Sequence, residues 1–411
     1  MKYGCIGEHL THSFSKEIHN ALTDYEYDIR EVERESLDNF MQERDFCGIN
    51  VTIPYKELVI PHLYYIDSAA ESIGAVNTVV NRDGRLYGYN TDFYGMCELA
   101  RHAGIDMSDK KVVILGTGGT SKTAVAVAKH LGAREVLRVS RTAREDAIDY
   151  AELYARHTDA EVIINTTPSG MFPEIYAQPI ELSKFDRLTG VLDAIYNPLR
   201  SSLVLEALER GIAAEGGLYM LVAQAVRASE IFLGKKYPSG TSERVYESIL
   251  KSKENIVLIG MPASGKTTVA GILSQLSGRD LTDTDDVIRE ISGMDIPTIF
   301  AERGERIFRD IETEAVMTSA KKSGRIIATG GGAILRDENV RALRMNGRLY
   351  FIDRPLESLI PTADRPLSSD RAAIEERYAE RYPIYRAVCD VRIDASTDVC
   401  TVASKIFEDF K

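Results

Sequence analysis

Two glycine-rich turns carry the residues best suited to hold nucleotides, and each follows a β-branched run and opens a helix-like segment. "GMPASGKT", Gly260 to Thr267, fits G-x-x-x-x-G-K-[ST] behind the run "NIVLIG". Backbone N–H groups of such a loop wrap phosphates, Lys266 reaches the terminal ones and the Thr267 hydroxyl ligates Mg²⁺, so Gly260, Ser264, Gly265, Lys266 and Thr267 form a candidate ATP site. "LGTGGTSKT" resembles that loop only at its tail. Ser121 stands where a glycine must precede the lysine, and the glycines fall instead at Gly116, Gly118 and Gly119, a dinucleotide-binding turn. The following strand-like segment, "LRVSRTAR", does not end in the carboxylate that NAD-binding units use for the ribose 2′-OH. It offers Ser140, Arg141, Thr142 and Arg144, and arginine forks suit a 2′-phosphate, which points to NADP.

Further groups are spaced for proton transfer and carboxylate recognition. Asp283 and Asp285 in "LTDTDD" are two apart, which from a strand end points both the same way; one can serve Mg²⁺ and the other a substrate hydroxyl, or the pair can cap the next helix. Arg309 and Glu312 lie three apart on one helical face, where Glu312 can orient an arginine that grips a carboxylate. Gly330, Gly331 and Gly332 follow a strand and let backbone approach a ligand closely. Lys56 follows a strand and a proline turn, and Asn90, Thr91 and Asp92 form a polar turn. A lysine and an aspartate meeting in a cleft can shuttle the proton that accompanies hydride transfer to a ketone, whereas apart they are a surface lysine and a cap.

Alternating strand-like and helix-like segments must position these groups. From Lys111 the pattern predicts βαβ units and a parallel sheet, and a fresh βαβ pattern starts at Asn255. We expect an α/β fold with a substrate-binding domain at 1–105, completed by a helix at about 218–252, a Rossmann-type dinucleotide domain at 106–217, a connecting segment and helix at 234–253, and a P-loop, nucleoside-monophosphate-kinase-like α/β domain with a parallel sheet at 254–411. The 411 residues suit two or three domains, and a net charge of −12 argues against a nucleic-acid partner. No apolar run has membrane length and no secretory signal is visible, so a cytoplasmic location, without membrane or nucleic-acid partners, is expected. The five cysteines are scattered without ligand spacing and read as reduced thiols. All seven histidines precede residue 158, so any chemistry of the C-terminal part proceeds without a histidine of its own.

The P-loop, Asp283/Asp285, "FRDIE" (Phe308 to Glu312), the triple glycine and "RPL" (Arg365 to Leu367) together resemble shikimate kinase over about 254–411. The resemblance implies that Asp285, Arg309, Arg381 and Gly330 to Gly332 bind shikimate, with Asp285 on the reacting hydroxyl, Asp283 serving Mg²⁺ and Arg365 reaching the transferring phosphate. The sequence departs from the family between "RLYFID" and Arg365, where only "RPLESLIPTAD" stands and the arginine near the adenine is missing, so weaker nucleotide discrimination is expected. "HSFSKEIHN", "NVTIPYK", "GAVNTV", "GYNTD", "NTTPSGM", "DAIYNP" and "MLVAQA" follow in the order seen in shikimate dehydrogenase, a resemblance over about 1–252. It implies that Ser13, Ser15, Thr52, Asn77, Asp92 and Gln224 hold shikimate, that Lys56 and Asp92 are the acid/base pair, and that Tyr196 lies near the carboxylate. NADP would contact Gly116 to Gly119, Ser140 to Thr142, Arg144 and the loop from Asn165, with Ser140 replacing the asparagine more usual in the family.

These expectations describe a fusion that reduces 3-dehydroshikimate with NADPH and then phosphorylates shikimate with Mg-ATP, acting on small molecules and open to homo-oligomerisation. Two alternatives are a quinate/shikimate dehydrogenase fused to a kinase of another small polyol, and a dehydrogenase fused to an inactive kinase-like regulatory module. Lys266, Asp283 and Asp285 speak against the latter.

Overall fold

The computed structural model describes residues 1–8, 10, 14–22, 25–360 and 371–411. Ser13 and Arg365 lie outside the described residues. The chain divides into two compact units. The first comprises 1–171, 177–197 and 206–249; the second comprises 172–176, 198–205 and 250–411.

Unit 1 contains two sheets. The first is built from β1 (Tyr3–Gly7), β2 (Tyr27–Glu31), β3 (Gly48–Val51), β4 (Tyr65–Ile66), β5 (Thr78–Arg82) and β6 (Arg85–Tyr89), in the order β2-β1-β3-β5-β6-β4. β1 runs parallel to both β2 and β3, and β5 is antiparallel to β3 and β6. The β5–β6 hairpin closes through Asp83-Gly84, both at positive φ (51° and 78°), the two-residue geometry that matches strand twist. The second sheet holds β7 (Lys111–Leu115), β8 (Glu135–Ser140), β9 (Ile148–Asp149), β10 (Val162–Asn165), β11 (Gly190–Asp193) and β12 (Ala213–Glu215). Its order is β12-β11-β10-β7-β8-β9, all parallel, which is the doubly wound arrangement. The order reverses between β7 and β10, and ligands of such sheets bind beyond the strand ends at that point. Both β7 and β10 are fully buried, as strands covered on two faces must be.

The helix Leu218–Leu233, apolar on most faces, packs against the helix Thr91–His102. A Cβ at Gly95 would stand 2.7 Å from the Met220 carbonyl oxygen, so only glycine allows this approach. The contact sets Thr91 and Gln224 on facing helices. His19, on the helix Ser15–Leu22, is fully buried and stacks on Tyr27 with ring centroids 3.8 Å apart; its Nδ1 lies 2.6 Å from the Tyr25 hydroxyl.

Unit 2 carries one all-parallel sheet of β13 (Asn255–Ile259), β14 (Leu281–Asp283), β15 (Ile326–Ala328), β16 (Gly347–Asp353) and β17 (Val391–Asp394), ordered β14-β15-β13-β16-β17. Central β13 is buried along its length, and each such aliphatic side chain contributes about 1.5–3 kcal/mol. Segment 198–205 belongs to this unit, where Arg200 donates to the Arg344 and Gly347 carbonyls (2.9 and 3.0 Å) and pairs with Glu254 at 2.8 Å. No helix among the described residues is long and apolar enough to cross a membrane, and all five cysteines are free.

Burial pushes His19 down to about 3, so it stays neutral in the folded state while the unfolded chain takes up a proton near pH 6.5. This contribution to stability is present above pH 6.5 and is lost as pH falls toward 3, about 2 kcal/mol at pH 5. Thermal or urea unfolding of unit 1 followed from pH 7 to pH 5 should be less pH-dependent in His19→Gln than in the wild type; parallel profiles would show that His19 is not buried neutral.

Candidate active sites

In unit 1, Lys56 Nζ donates to Asp92 Oδ2 at 2.5 Å, with side chains only 16% and 12% exposed. Asp92 lies in the first turn of the helix Thr91–His102, where the positive end of the helix dipole favours a carboxylate. Asn90 caps that helix, its Oδ1 accepting from Phe93 N at 3.0 Å, and the Lys56 carbonyl accepts from Val76 N at 2.8 Å. The structure therefore brings the lysine and the aspartate, ambiguous when considered separately, together as one ion pair.

A buried polar chain runs beside them. Asn77 Oδ1 accepts from Thr91 N (2.7 Å) and from the Thr78 hydroxyl (3.1 Å), and the Thr91 hydroxyl lies 3.4 Å from Gln224 Oε1. Asn50 donates to Thr78 Oγ1 at 3.1 Å and accepts from the Tyr27 hydroxyl at 2.7 Å. Asn77 and Gln224 are thus joined through Thr91. Tyr196 meets Phe14 edge-on with centroids 5.2 Å apart, and burial raises its phenol above the ordinary value. Thr52 leads out of β3, its N–H donating to the Ile6 carbonyl at 3.0 Å, and Ser15 opens its helix. Sequence reasoning missed Thr78, Asn50 and Cys5. The buried Cys5 feels the charges of Lys56 and Asp92, and burial pushes its thiol up to about 12, so it remains neutral.

The turn after β7 places Gly116 at φ 110° and begins the helix Gly119–His130. Ser121 is fully buried and donates to the Gly116 carbonyl at 2.7 Å, tying the turn to itself. Among the described residues, no atom beyond the local backbone lies within 4 Å of where a Cβ on Gly118 or Gly119 would stand, which leaves space for an anion at the helix N-terminus. At the end of β8, Ser140 Oγ donates to the Thr142 carbonyl. Arg141 and Arg144 are exposed, with no ion pair among the described residues. This donor set fits a dinucleotide with a 2′-phosphate. Asn165 is fully buried; it donates to Asp193 at 3.0 Å and accepts from Thr167 N at 3.0 Å, so its side chain shapes the loop after β10.

In unit 2, Gly265 (φ 91°) precedes the helix Lys266–Ser277, a left-handed conformation that excludes the serine found at position 121. Lys266 is buried and donates to the Gly260 and Met261 carbonyls, both at 2.9 Å. Among the described residues the buried Ser264 Oγ has no hydrogen-bond partner, so its hydroxyl is free to donate to a phosphate oxygen. The Thr267 hydroxyl donates to Asp283 Oδ2 at 2.9 Å, placing a hydroxyl and a carboxylate together as hard oxygen donors for Mg²⁺. Among the described residues no group of three or more His, Cys, Asp or Glu is placed to hold a metal ion.

Asp283 ends β14 and caps the helix Thr284–Ser292, accepting from Asp285 N at 2.9 Å. Asp285 is in that helix's first turn rather than on the strand, so a turn, not the strand's two-residue period, brings both to one cavity. That cavity, about 690 Å³, is also lined by Lys266, Arg309, Gly330 to Gly332 and Arg381. Arg309 pairs with buried Glu312 at 2.6 Å and with Glu305 at 3.1 Å; burial opposes its charge, but the two carboxylates hold the guanidinium above its ordinary value. A Cβ on Gly332 would fall 2.0 Å from Arg309 Nη1, and one on Gly330 2.8 Å from Glu312 Oε1, so a side chain at either position would displace the ends of this pair. Arg381 is 4% exposed; Nη1 donates to the Gly331 carbonyl at 3.2 Å, and the buried Nε has no hydrogen-bond acceptor among the described residues and stands 3.9 Å from Glu380 Oε2, while burial lowers its pKa. Tyr385, unnoticed in the sequence, sets its hydroxyl against the Gly260 and Gly331 carbonyls and ties the P-loop to the triple glycine.

Comparison with known proteins agrees with both halves. The family model of the shikimate dehydrogenase substrate binding domain matches residues 5–79, and that of shikimate kinase matches 262–411. Shikimate dehydrogenase (NADP(+)) of Clostridium perfringens (strain SM101 / Type A) is 34% identical over 265 residues, covering 60% of this chain and 97% of that protein. The corresponding Clostridium beijerinckii protein is 35% identical over 245 residues, 56% of this chain and 91% of its own length. Among solved structures, shikimate dehydrogenase 1 from Peptoclostridium difficile has a TM-score of 0.56 at 34% identity, covering 61% of this chain and 98% of its own. Shikimate 5-dehydrogenase from Thermus thermophilus, in complex with NADP(H) and shikimate, has a TM-score of 0.55 at 26% identity, covering 60% and 99%. The chain belongs to the shikimate dehydrogenase family through its N-terminal part and carries a shikimate kinase domain in residues 262–411, so it joins two enzymes of the shikimate pathway in one polypeptide.

Proposed function

We propose that unit 1 reduces 3-dehydroshikimate to shikimate with NADPH and that unit 2 phosphorylates the 3-hydroxyl of shikimate with Mg-ATP. One observation carries this reading: each unit holds a carboxylate suited to proton transfer beside groups suited to its substrate. In unit 1 it is Asp92 with Lys56, next to Asn77 and Gln224; in unit 2 it is Asp285, in one cavity with Arg309 and Arg381. The hydroxyl made by the first reaction belongs to the molecule that the second consumes.

Bound NADPH supplies the hydride, and Mg-ATP supplies the phosphoryl group together with a cation that screens its charge. The Lys56 ammonium donates a proton to the carbonyl oxygen as it becomes an alkoxide, and Asp92 holds that ammonium in place. Asn77 and Gln224, fixed through Thr91, are suited to ring hydroxyls. Ser13, Ser15, Thr52 and Tyr196 complete the site in this reading. In unit 2, Arg309 and Arg381 bind the shikimate carboxylate, Asp285 orients the 3-hydroxyl and accepts its proton, and Lys266 neutralises the transferring phosphate, assisted by Arg365. Charge neutralisation and positioning are most of what phosphoryl transfer requires, so a histidine is dispensable.

Replacing Lys56 with Ala should lower kcat of NADP-linked shikimate oxidation by about 10²–10⁴-fold while NADPH binding and shikimate-dependent ADP release stay at wild-type values; an unchanged kcat would remove Lys56 from proton transfer. Lys266→Met should reduce ADP release by at least about 10²-fold without touching the dehydrogenase activity. Wild-type chain that releases no ADP with shikimate would instead favour a regulatory kinase-like module.

A further inference from the structure

We propose that Arg354 is a nucleotide-contacting residue of unit 2, gripping ATP on the side of the P-loop away from the transferring phosphate. The inference rests on the kinase reading of this unit.

Strand β16 lies next to β13 in the sheet, with Phe351 registered against Ile259. Its end therefore runs alongside the P-loop that leaves β13: the Ile352 carbonyl oxygen lies 2.9 Å from where a Cβ on Gly260 would stand. Arg354 follows directly after β16. Its Nη1 stands 4.0 Å from the Cβ position of Gly265, the residue that caps the P-loop helix, and Val399 Cγ1 lies 3.5 Å from the same point. A guanidinium and an aliphatic surface thus flank the helix N-terminus together.

Among the described residues nothing engages the guanidinium. Its Nε is buried and lacks a hydrogen-bond partner, and no ion pair or hydrogen bond engages the side chain among the described residues. The neighbouring carboxylate, Asp353, is already taken by Arg392 Nε at 2.6 Å and the Tyr382 hydroxyl at 3.2 Å. A buried N–H without an acceptor is destabilising, so the arrangement makes sense where a ligand brings the acceptor. Beside a helix N-terminus that ligand is anionic, and a P-loop selects a nucleotide.

Arg354 does not line the cavity that contains Arg309, Arg381 and Asp285. It approaches Gly265 from the β16 side, whereas β14, which ends in Asp283, lies beyond β15 on the other side of β13. A planar cation there can donate to the inner phosphate and lie against the base, with Val399 as the apolar side of the same slot. This places a nucleotide contact on a residue directly after the strand, in a chain whose sequence lacks the arginine expected further along.

The test uses the full chain with a fluorescent ADP analogue, mant-ADP, and steady-state kinetics. Arg354→Ala should weaken mant-ADP binding and raise KM for ATP by about tenfold or more, with KM for shikimate within about twofold and dehydrogenase activity unchanged. Arg354→Lys should recover part of the loss. Unchanged shikimate KM shows that the unit is folded. Wild-type affinity for mant-ADP in Arg354→Ala would overturn the assignment, whereas failure of the unsubstituted chain to bind mant-ADP would overturn the kinase reading itself.

Discussion

The left-handed backbone at Gly265 is the constraint on which the distinction between the two nucleotide turns depends. At φ 91° a β-carbon is strained, so the loop can wrap a phosphate before Lys266 only with glycine there. The corresponding position in unit 1 is Ser121, inside the helix Gly119–His130, where it is buried and uses its hydroxyl to hold the Gly116 carbonyl at 2.7 Å. One residue type therefore separates two similar strand-turn-helix units. In the proposed function one loop wraps phosphates with its own backbone; the other offers open glycines at a helix N-terminus and leaves recognition to Arg141 and Arg144, exposed after the next strand.

From these turns the rest of each site follows by sheet order. In unit 1 the reversal between β7 and β10 puts the glycine turn and the loop after Asn165 at one edge. The close approach at Gly95 brings Thr91 and Gln224 together and leaves Asp92 paired with Lys56. In unit 2 the β14-β15-β13 neighbours bring Asp283, the triple glycine and Lys266 to one cavity, and Glu312 holds Arg309 against Gly332. In both units glycine stands where another group closely approaches the backbone, and a carboxylate where an arginine or lysine is held.

What was legible in the sequence was local. The P-loop, the serine at position 121, the two arginines after β8 and the i,i+3 pair Arg309/Glu312 each declare themselves within a few residues, and the alternation of strands and helices predicts both parallel sheets. Contacts made over long separations were not legible. Tyr385 reaches Gly260 across 125 residues, Thr91 reaches Gln224 across 133, and the chain from Tyr27 through Asn50 to Thr78 crosses three strands or their ends. No periodicity encodes such meetings, because they depend on strand order and helix packing. Asp285 shows a subtler limit: two-residue spacing predicted a shared strand face, but the helix begins one residue earlier and reaches the same cavity by a turn.

In the proposed function one chain binds two different nucleotides, once each, on turns that do not compete. Calorimetric titration of the intact chain with NADPH, then with Mg-ADP on the NADPH-saturated protein, tests this directly. One equivalent of each is expected, with the Mg-ADP affinity the same in the presence and absence of NADPH; displacement of one by the other, or two equivalents of either, would contradict separate sites.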